Sequence, residues 1–194
     1  MTTADIATAS LLDRFRRVGA LLEGHFRLTS GLHSSGYLQC ALVLQHPVEA
    51  EACGTAIADR VRTLSPDVVL SPALGGIVIG QEVGRALGVR AIFAERQDGS
   101  LTLRRGFAIA PAEKVLVVED VVTTGGSTQE TIDVARAAGA TVVAAAAIID
   151  RSGGNQRIDV PFHALATIAL PTYEPEQCPL CAAGKPVVKP GSRL

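Results

Sequence analysis

Excess charge is the first thing this sequence lacks. Its 194 residues carry 18 Lys and Arg against 19 Asp and Glu, a formal net charge of −1. A nucleic-acid binder would show a strong basic excess, and no run of like charges suggests a tail or a polybasic membrane anchor. Long apolar runs are missing too. Nothing approaches the roughly 18 uncharged apolar residues of a membrane span, and residues 1–17 alternate apolar with polar instead of forming a signal-peptide core. A cytoplasmic protein is the expectation, with neither nucleic acid nor membrane as partner. Both common nucleotide motifs are absent: Gly75 and Gly80 have P-loop spacing but Gln81 and Glu82 follow, and Gly-x-Gly-x-x-Gly occurs nowhere. No repeat is visible at solenoid periods. Lysine is scarce, with only Lys114, Lys185 and Lys189.

Cysteine is nearly as scarce. Cys40, Cys53, Cys178 and Cys181 occur in a chain without an export signal, so structural disulfides are not expected. Cys178 and Cys181 form a single Cys-x-x-Cys. A structural zinc site wants four ligands, and no second pair has matching spacing. His25, His33, His46 and His163 are scattered and could join the pair only through the fold. The segment reads as a plain C-terminal turn closed by Pro179, with zinc or redox chemistry as the alternative.

What is present centres on residues 114–130, Lys-Val-Leu-Val-Val-Glu-Asp-Val-Val-Thr-Thr-Gly-Gly-Ser-Thr-Gln-Glu. Residues 115–118 are an unbroken β-branched apolar run, which reads as a strand buried on both faces of a parallel sheet. Glu119 and Asp120 sit where it should end. A loop of Thr123, Thr124, Gly125, Gly126, Ser127 and Thr128 follows, and then a helical pattern over 131–138. Backbone N–H groups of such a loop and the first turn of its helix form a concave donor cluster with a positive dipole end, which suits a phosphate. The glycines allow close approach, and the hydroxyls add donors. Carboxylates beside a phosphate cradle make sense if the ligand also carries sugar hydroxyls or a bound Mg²⁺. A phosphorylated sugar fits both halves; an acid-ended strand with an ordinary turn is the plain alternative.

Along the rest of the chain, Ile6, Leu11, Leu12, Phe15, Val18, Leu21 and Leu22 have helical spacing, with Arg14, Arg16 and Arg17 outward and Gly24 as the stop. Residues 26–44 read as irregular and β-rich, and 47–63 as a helix with Pro47 in its first turn. Residues 68–71 are a buried strand running into Gly75 and Gly76, followed by a helix over 77–87. A strand over 89–95 leads to a polar loop over 96–107, suited to closing over a charged substrate. A strand over 141–149 ends at Asp150 and Arg151, and 162–169 is a last strand, at an edge. Strands alternating with helices give a doubly wound α/β fold with its ligand at the carboxyl ends of the strands. Glu119, Asp120, Gly75 and Arg151 all fall at such ends. The length suits one domain that can bury a sizeable core. It divides into an N-terminal segment over about 19–45, a core over about 47–170 and a C-terminal tail over 171–194.

The stretch Val-Val-Glu-Asp-Val-Val-Thr-Thr-Gly-Gly-Ser resembles the phosphoribosyl-pyrophosphate (PRPP) motif of the type I phosphoribosyltransferases. Within them the chain is most similar to the orotate enzymes, from about Gly19 to the Cys-Pro-Leu-Cys segment. The resemblance implies a parallel-sheet core with a small hood, PRPP and orotate as substrates, Mg²⁺ dependence and a homodimer with shared active sites. It implies that Glu119 and Asp120 hold the ribose hydroxyls and that Val121, Val122, Thr123, Thr124, Gly125, Gly126 and Ser127 hold the phosphate. Gly75 and Gly76 would take the pyrophosphate, with Mg²⁺ carried by PRPP near Asp120 instead of being bound by the protein alone. Arg96, Arg104 and Arg105 would supply positive charge from the loop, across the subunit interface. Arg151 would clamp the orotate carboxylate, with Thr123 and Tyr37 near the base. Three departures stand out: Thr29 where the hood usually has lysine, Leu74 and Gly75 where a turn lysine is frequent, and a loop with no lysine or histidine. The alternatives are a phosphoribosyltransferase for a purine or another pyrimidine, and a non-catalytic PRPP-binding regulator.

Overall fold

The computed structural model describes residues 8–28 and 30–189; Ile6, Thr29 and positions 190–194 of the tail lie outside them. Helix α1 (Thr8–Arg17) buries Leu11 and Phe15 at helical spacing and exposes Arg16 and Arg17. It ends one turn earlier than its apolar periodicity predicts. Gly19 adopts φ +68°, and the N–H groups of Gly19 and Ala20 bond back to the carbonyls of Arg16 and Phe15. That paired C-terminal cap requires the left-handed backbone glycine tolerates best. Leu21, Leu22 and Gly24 therefore belong to strand β1 (Leu21–Arg27), which pairs antiparallel with β2 (His33–Leu38).

The chain then passes through one turn of helix, α2 (Ala41–Leu44), into α3 (Pro47–Val61). The alternating core follows: β3 (Val68–Pro72), α4 (Gly76–Leu87), β4 (Arg90–Gln97), β5 (Ser100–Leu103), β6 (Lys114–Val122), α5 (Gly126–Ala137), β7 (Thr141–Asp150) and β8 (Phe162–Thr167). Six strands form one sheet in the order β5-β4-β3-β6-β7-β8, parallel except for β5 at one edge. From β3 the chain first winds outward to β4 and then returns to β6 on the other side. The switch point, where an open α/β sheet binds its ligand, thus lies between the carboxyl ends of β3 and β6.

Side-chain alternation fills both faces of the sheet. Val69, Leu116 and Val118 join Phe15, Ile57, Ile79 and Val83 on one side, and Val68, Leu70, Val115 and Val117 join Ile92 and Ile132 on the other. Every residue of β3 is buried, as the β-branched run predicts for a strand covered twice. The tail is more ordered than its proline and glycine content suggests. It supplies β9 (Thr172–Tyr173), which pairs with β2, then the one-turn helix α6 (Pro179–Ala182), and Val188 bridges to Phe26 of β1. Among the described residues no helix is long and apolar enough to cross a membrane.

The segment expected as an open polar loop over 96–107 is in its first part a hairpin. Gln97 pairs with Ser100 around Asp98 and Gly99, at φ +51° and +87°. A two-residue turn with both central residues at positive φ is the hairpin geometry that Asp-Gly favours.

Helices α3 and α4 touch through Gly54, where an added Cβ would lie 2.5 Å from Glu82 Cβ and 2.8 Å from its carbonyl carbon. Replacing glycine by alanine inside a helix normally stabilises by about 1 kcal/mol. Here overpacking against backbone outweighs it, and G54A is expected to destabilise by about 1–3 kcal/mol, read as a lowered urea midpoint; a midpoint that rises would refute the close packing.

Candidate active site

Strand β6 delivers two carboxylates to the switch point. It runs to Val122, four residues beyond the apolar run, because β7 remains paired with it as far as Asp150. Glu119 is buried at 6% exposure and Asp120 is half-buried. Glu119 accepts hydrogen bonds from the Asp120 N–H at 3.1 Å and the Ser127 hydroxyl at 3.3 Å, and the Val121 N–H donates to Asp120 at 2.8 Å. Among the described residues neither carboxylate has a cationic partner. Burial, and then the adjacent charge of Asp120, push Glu119 up to about 9.

The glycine loop lies directly beyond. Thr123, Thr124, Gly126 and Ser127 are exposed, while Gly125 is buried at φ +87°. A Cβ on Gly125 would sit 3.0 Å from the Ile158 side chain and 3.2 Å from the Arg157 N, whose N–H donates to the Thr124 carbonyl at 2.9 Å. Glycine is thus required both by conformation and by space. Helix α5 starts here with no side-chain cap, so its first N–H groups are left for a ligand. The Thr128 hydroxyl is buried without a hydrogen-bond partner.

The turn after β3 closes over the same point. The Ala73–Leu74 peptide is cis, Leu74 is largely exposed, and α4 likewise begins without a side-chain cap. A Cβ on Gly75 would lie 2.8 Å from Asp120 Oδ1, and one on Gly76 3.0 Å from the Val118 carbonyl. The glycines therefore let the turn lie against the acid-bearing strand. A cleft of about 410 Å³ opens there, lined by Gln39, Leu44, Leu74, Gly75, Val78 and Asp120.

Arg151 arrives from β7, its N–H held by the Val122 carbonyl at 2.7 Å. The preceding Asp150 does not pair with it. Asp150 instead accepts from the Ser152 N–H and hydroxyl and from the Gly154 N–H, closing its own turn. Arg151 is left half-buried, its Nε without a partner and its guanidinium with no ion pair among the described residues. Burial lowers its pKa, against the raising influence of Tyr37 and Cys40 nearby. Tyr37 is half-buried, packs at 5.9 Å from the Phe26 ring and donates to Gln39.

The loop arginines are placed differently. Arg96 pairs with Glu130 at 2.7 Å and donates to the Gly99 carbonyl, and Arg105 makes a two-bond pair with Glu95 and lies over the Phe93 ring. Within the chain both are spent on the hairpin's own packing and are not brought to the glycine loop. Arg104 is exposed and makes no ion pair among the described residues. Three contributors carried no motif. Glu130 ties the hairpin to α5 by also accepting from the Leu101 N–H at 2.7 Å. Cys40 lies 3.8 Å from the Asp120 carbonyl, and Gln39 lines the cleft.

A model of the phosphoribosyl transferase domain matches residues 41–174. Orotate phosphoribosyltransferase of Heliobacterium modesticaldum is 57% identical over 185 residues, covering 94% of this chain and 97% of the relative. That of Chlorobium phaeobacteroides is 54% identical over 183 residues, 94% of this chain and 95% of its own length. The chain belongs to the orotate phosphoribosyltransferase family. The fold agrees with solved members: the enzyme of Aeropyrum pernix superposes with a TM-score of 0.66 at 26% identity, over 81% of this chain and 93% of that one. The Mycobacterium tuberculosis enzyme in complex with PRPP gives 0.65 at 20% identity, over 87% and 92%. The mostly parallel α/β core therefore agrees with the fold of this transferase family.

The acid pair has a measurable consequence. Glu119 in the folded protein titrates near 9, above the ordinary carboxylate value of 4.5, so folding takes up a proton between those values. Stability is then fully present below about pH 4.5 and is lost as pH rises towards 9. Urea titrations of the free protein from pH 6 to 8.5 should show a fall of up to about 1.4 kcal/mol per pH unit, flattened in E119Q. Stability that rises over this window in the wild type would contradict the assignment.

Proposed function

We propose that this chain transfers the phosphoribosyl group from PRPP to orotate, giving orotidine 5′-monophosphate and pyrophosphate, with Arg151 as the group that selects orotate. One observation carries the base assignment: a half-buried guanidinium with no ion pair among the described residues, at the end of the strand beside the acid pair and near Tyr37 and Cys40. Leaving such a charge unpaired is costly unless a ligand supplies the anion. Orotate carries a carboxylate; purine bases and uracil do not. The family relationship supports the same substrate.

The geometry supports the following roles. The uncapped start of α5 and the hydroxyls of Thr123, Thr124 and Ser127 receive the 5′-phosphate as a donor cluster at a positive dipole end. Val121 and Val122 complete the strand that positions it. The ribose hydroxyls donate to Glu119 and Asp120, which accept from few other groups. The turn at Gly75 and Gly76 presents backbone N–H groups to the pyrophosphate from the uncapped start of α4. Orotate lies with its carboxylate on Arg151, near Thr123 and Tyr37.

In the reaction the C1′–oxygen bond to pyrophosphate breaks, positive charge develops on the ribose ring, and the base nitrogen bonds to C1′ as its proton is lost to solvent. Asp120 supplies the negative charge of the pair that stabilises the positive ring, and donors at the turn stabilise the departing anion. The site fits Mg²⁺ as well, since two adjacent carboxylates lack any cationic partner among the described residues. Asp120 and Glu119 would help to hold Mg²⁺, which would supply further neutralisation of the leaving group. Arg104, exposed beside the hairpin, is the free cation of this segment and is suited to a second copy of the chain, in a homodimer with shared sites. A guanidinium suits phosphate by its paired donors but is a poor proton-transferring acid. The reaction takes place in the cytoplasm.

Pyrophosphate release from PRPP with Mg²⁺ should occur with orotate and not with uracil, hypoxanthine, guanine or adenine. R151A should lose about 100-fold or more in kcat/KM for orotate, from about 3 kcal/mol of charge-assisted hydrogen bonds, while still binding PRPP. Release with another base would overturn the selection by Arg151. PRPP binding without release would make the chain a regulator.

A further inference from the structure

The Cys-Pro-Leu-Cys segment does not form an isolated turn. It packs against the hood so that Cys178 and Cys181 meet His25 of β1 and His33 of β2, and the four donor atoms lie within 4.8 Å of one another. Cys178 Sγ is 3.5 Å and Cys181 Sγ 3.7 Å from His25 Nε2; Cys181 Sγ is 3.3 Å from His33 Nδ1; the two imidazole nitrogens are 2.8 Å apart. With Zn–N bonds of about 2.0 Å and Zn–S bonds of about 2.3 Å, tetrahedral ligands stand roughly 3.3–3.8 Å from one another. The sulfur–nitrogen distances fall in that range, and the nitrogen–nitrogen distance of 2.8 Å is about 0.5 Å shorter, so the two imidazoles would separate slightly on taking the ion. From this geometry we infer a structural Zn²⁺ site, Cys178, Cys181, His25 and His33, that ties the end of the chain to the small sheet.

Two further observations point the same way. His25 Nδ1 lies 2.8 Å from the Lys185 carbonyl. Donation to that carbonyl puts the N–H outward and turns the lone pair of Nε2 into the cluster, the arrangement by which metal-binding histidines are oriented. Strand β1 also breaks its register between Glu23 and Phe26, and His25 and Phe26 are buried in succession. A bulge of this kind re-aims a side chain that strict alternation would send to the other face. Here it brings His25 onto the same side as His33. His25, His33 and Cys178 are 4%, 7% and 3% exposed, so three of the four ligands are shielded from water. Two thiolates with two imidazoles select Zn²⁺ over Mg²⁺ or Ca²⁺, which take oxygen donors, and four protein ligands leave no open position for chemistry.

The ion would reinforce the backbone links between the tail and the small sheet. Val188 N–H donates to the His25 carbonyl, Arg27 N–H donates to the Val188 carbonyl, and β9 adds only two residues to β2. Strand β2 carries Tyr37 and leads directly into Gln39 at the cleft, so the site stiffens the segment beside the base. This inference does not depend on which base the enzyme uses.

The test is metal analysis of untagged protein, purified under reducing conditions without chelator from zinc-supplemented minimal medium. About one Zn²⁺ per chain is expected, falling to background in C178S/C181S. Because that variant could misfold, the wild type is also stripped and reloaded with Co²⁺, which should give thiolate-to-cobalt charge-transfer bands and the intense visible bands of tetrahedral Co²⁺. Removing zinc should raise amide hydrogen exchange in β1 and β2 while β6 stays protected. Wild-type protein with no zinc and no Co²⁺ bands, or a Cys178–Cys181 disulfide in the reduced preparation, would overturn the site. Unchanged exchange in β1 and β2 after zinc removal would overturn the tether.

Discussion

Everything at the active site depends on where β6 ends. A strand covered on both faces has nowhere to place a polar side chain until it reaches the sheet's edge, so residues 115–118 are apolar and Glu119 is the first ionisable group the chain can present. At that point β6 is flanked by β3 and β7, whose ends bring the glycine turn and Arg151. The three functional segments are adjacent because their strands are adjacent. No long-range recognition between loops is needed to assemble them, and the switch in winding direction leaves the space between β3 and β6 uncovered for a ligand.

The site is electrostatically incomplete in the free protein, and the incompleteness has two signs. On one side an acid pair is crowded enough that Glu119 is driven towards its neutral form. On the other Arg151 has lost much of its water without gaining a counter-ion. Each is unfavourable alone, and they are not arranged to neutralise each other. A ligand bearing hydroxyls at one end and a carboxylate at the other relieves both. Such fixed, poorly solvated charges need little reorganisation when charge develops on the substrate. The same reasoning accounts for Gly75 and Gly125: a side chain at either position would collide with the Asp120 carboxylate or with the Ile158–Arg157 segment. Both positions are therefore held empty by sterics instead of by any interaction of their own.

What the sequence revealed divides along the distance over which its signals act. The buried strands, the helices that follow them and the carboxyl-end positions of Glu119, Gly75 and Arg151 are local patterns, and the sheet's topology adds little uncertainty once they are seen. Apolar spacing continues past the end of α1 through Leu22, whereas the residue that ends the helix, Gly19, acts through its positive φ. The Asp98-Gly99 hairpin was legible in principle, since that dipeptide is a strong turn signal, but the polarity around it suggests an open loop. The pairings of Arg96 with Glu130 and Arg105 with Glu95 were not legible. Glu130 lies 34 residues from Arg96, and nothing in a linear pattern distinguishes an arginine aimed at a ligand from one aimed at its own helix.

The C-terminal segment carries that argument furthest. Cys178 and Cys181 have half of a metal-site spacing, and the other half is 153 residues away from Cys178, at His25. Neither histidine has a spacing that suggests a ligand, because their proximity arises from antiparallel pairing and from a bulge that changes which face His25 occupies. The small sheet has only three strands, one of them two residues long, and sheets of that size gain little stability from backbone pairing alone. Yet this sheet must hold Tyr37 in place beside a cation that is itself unpaired. A fold that places a half-buried, unpaired cation at the joint between its core and a thin sheet needs the sheet anchored from elsewhere, and the segments carrying His25 and Cys178 meet on that sheet.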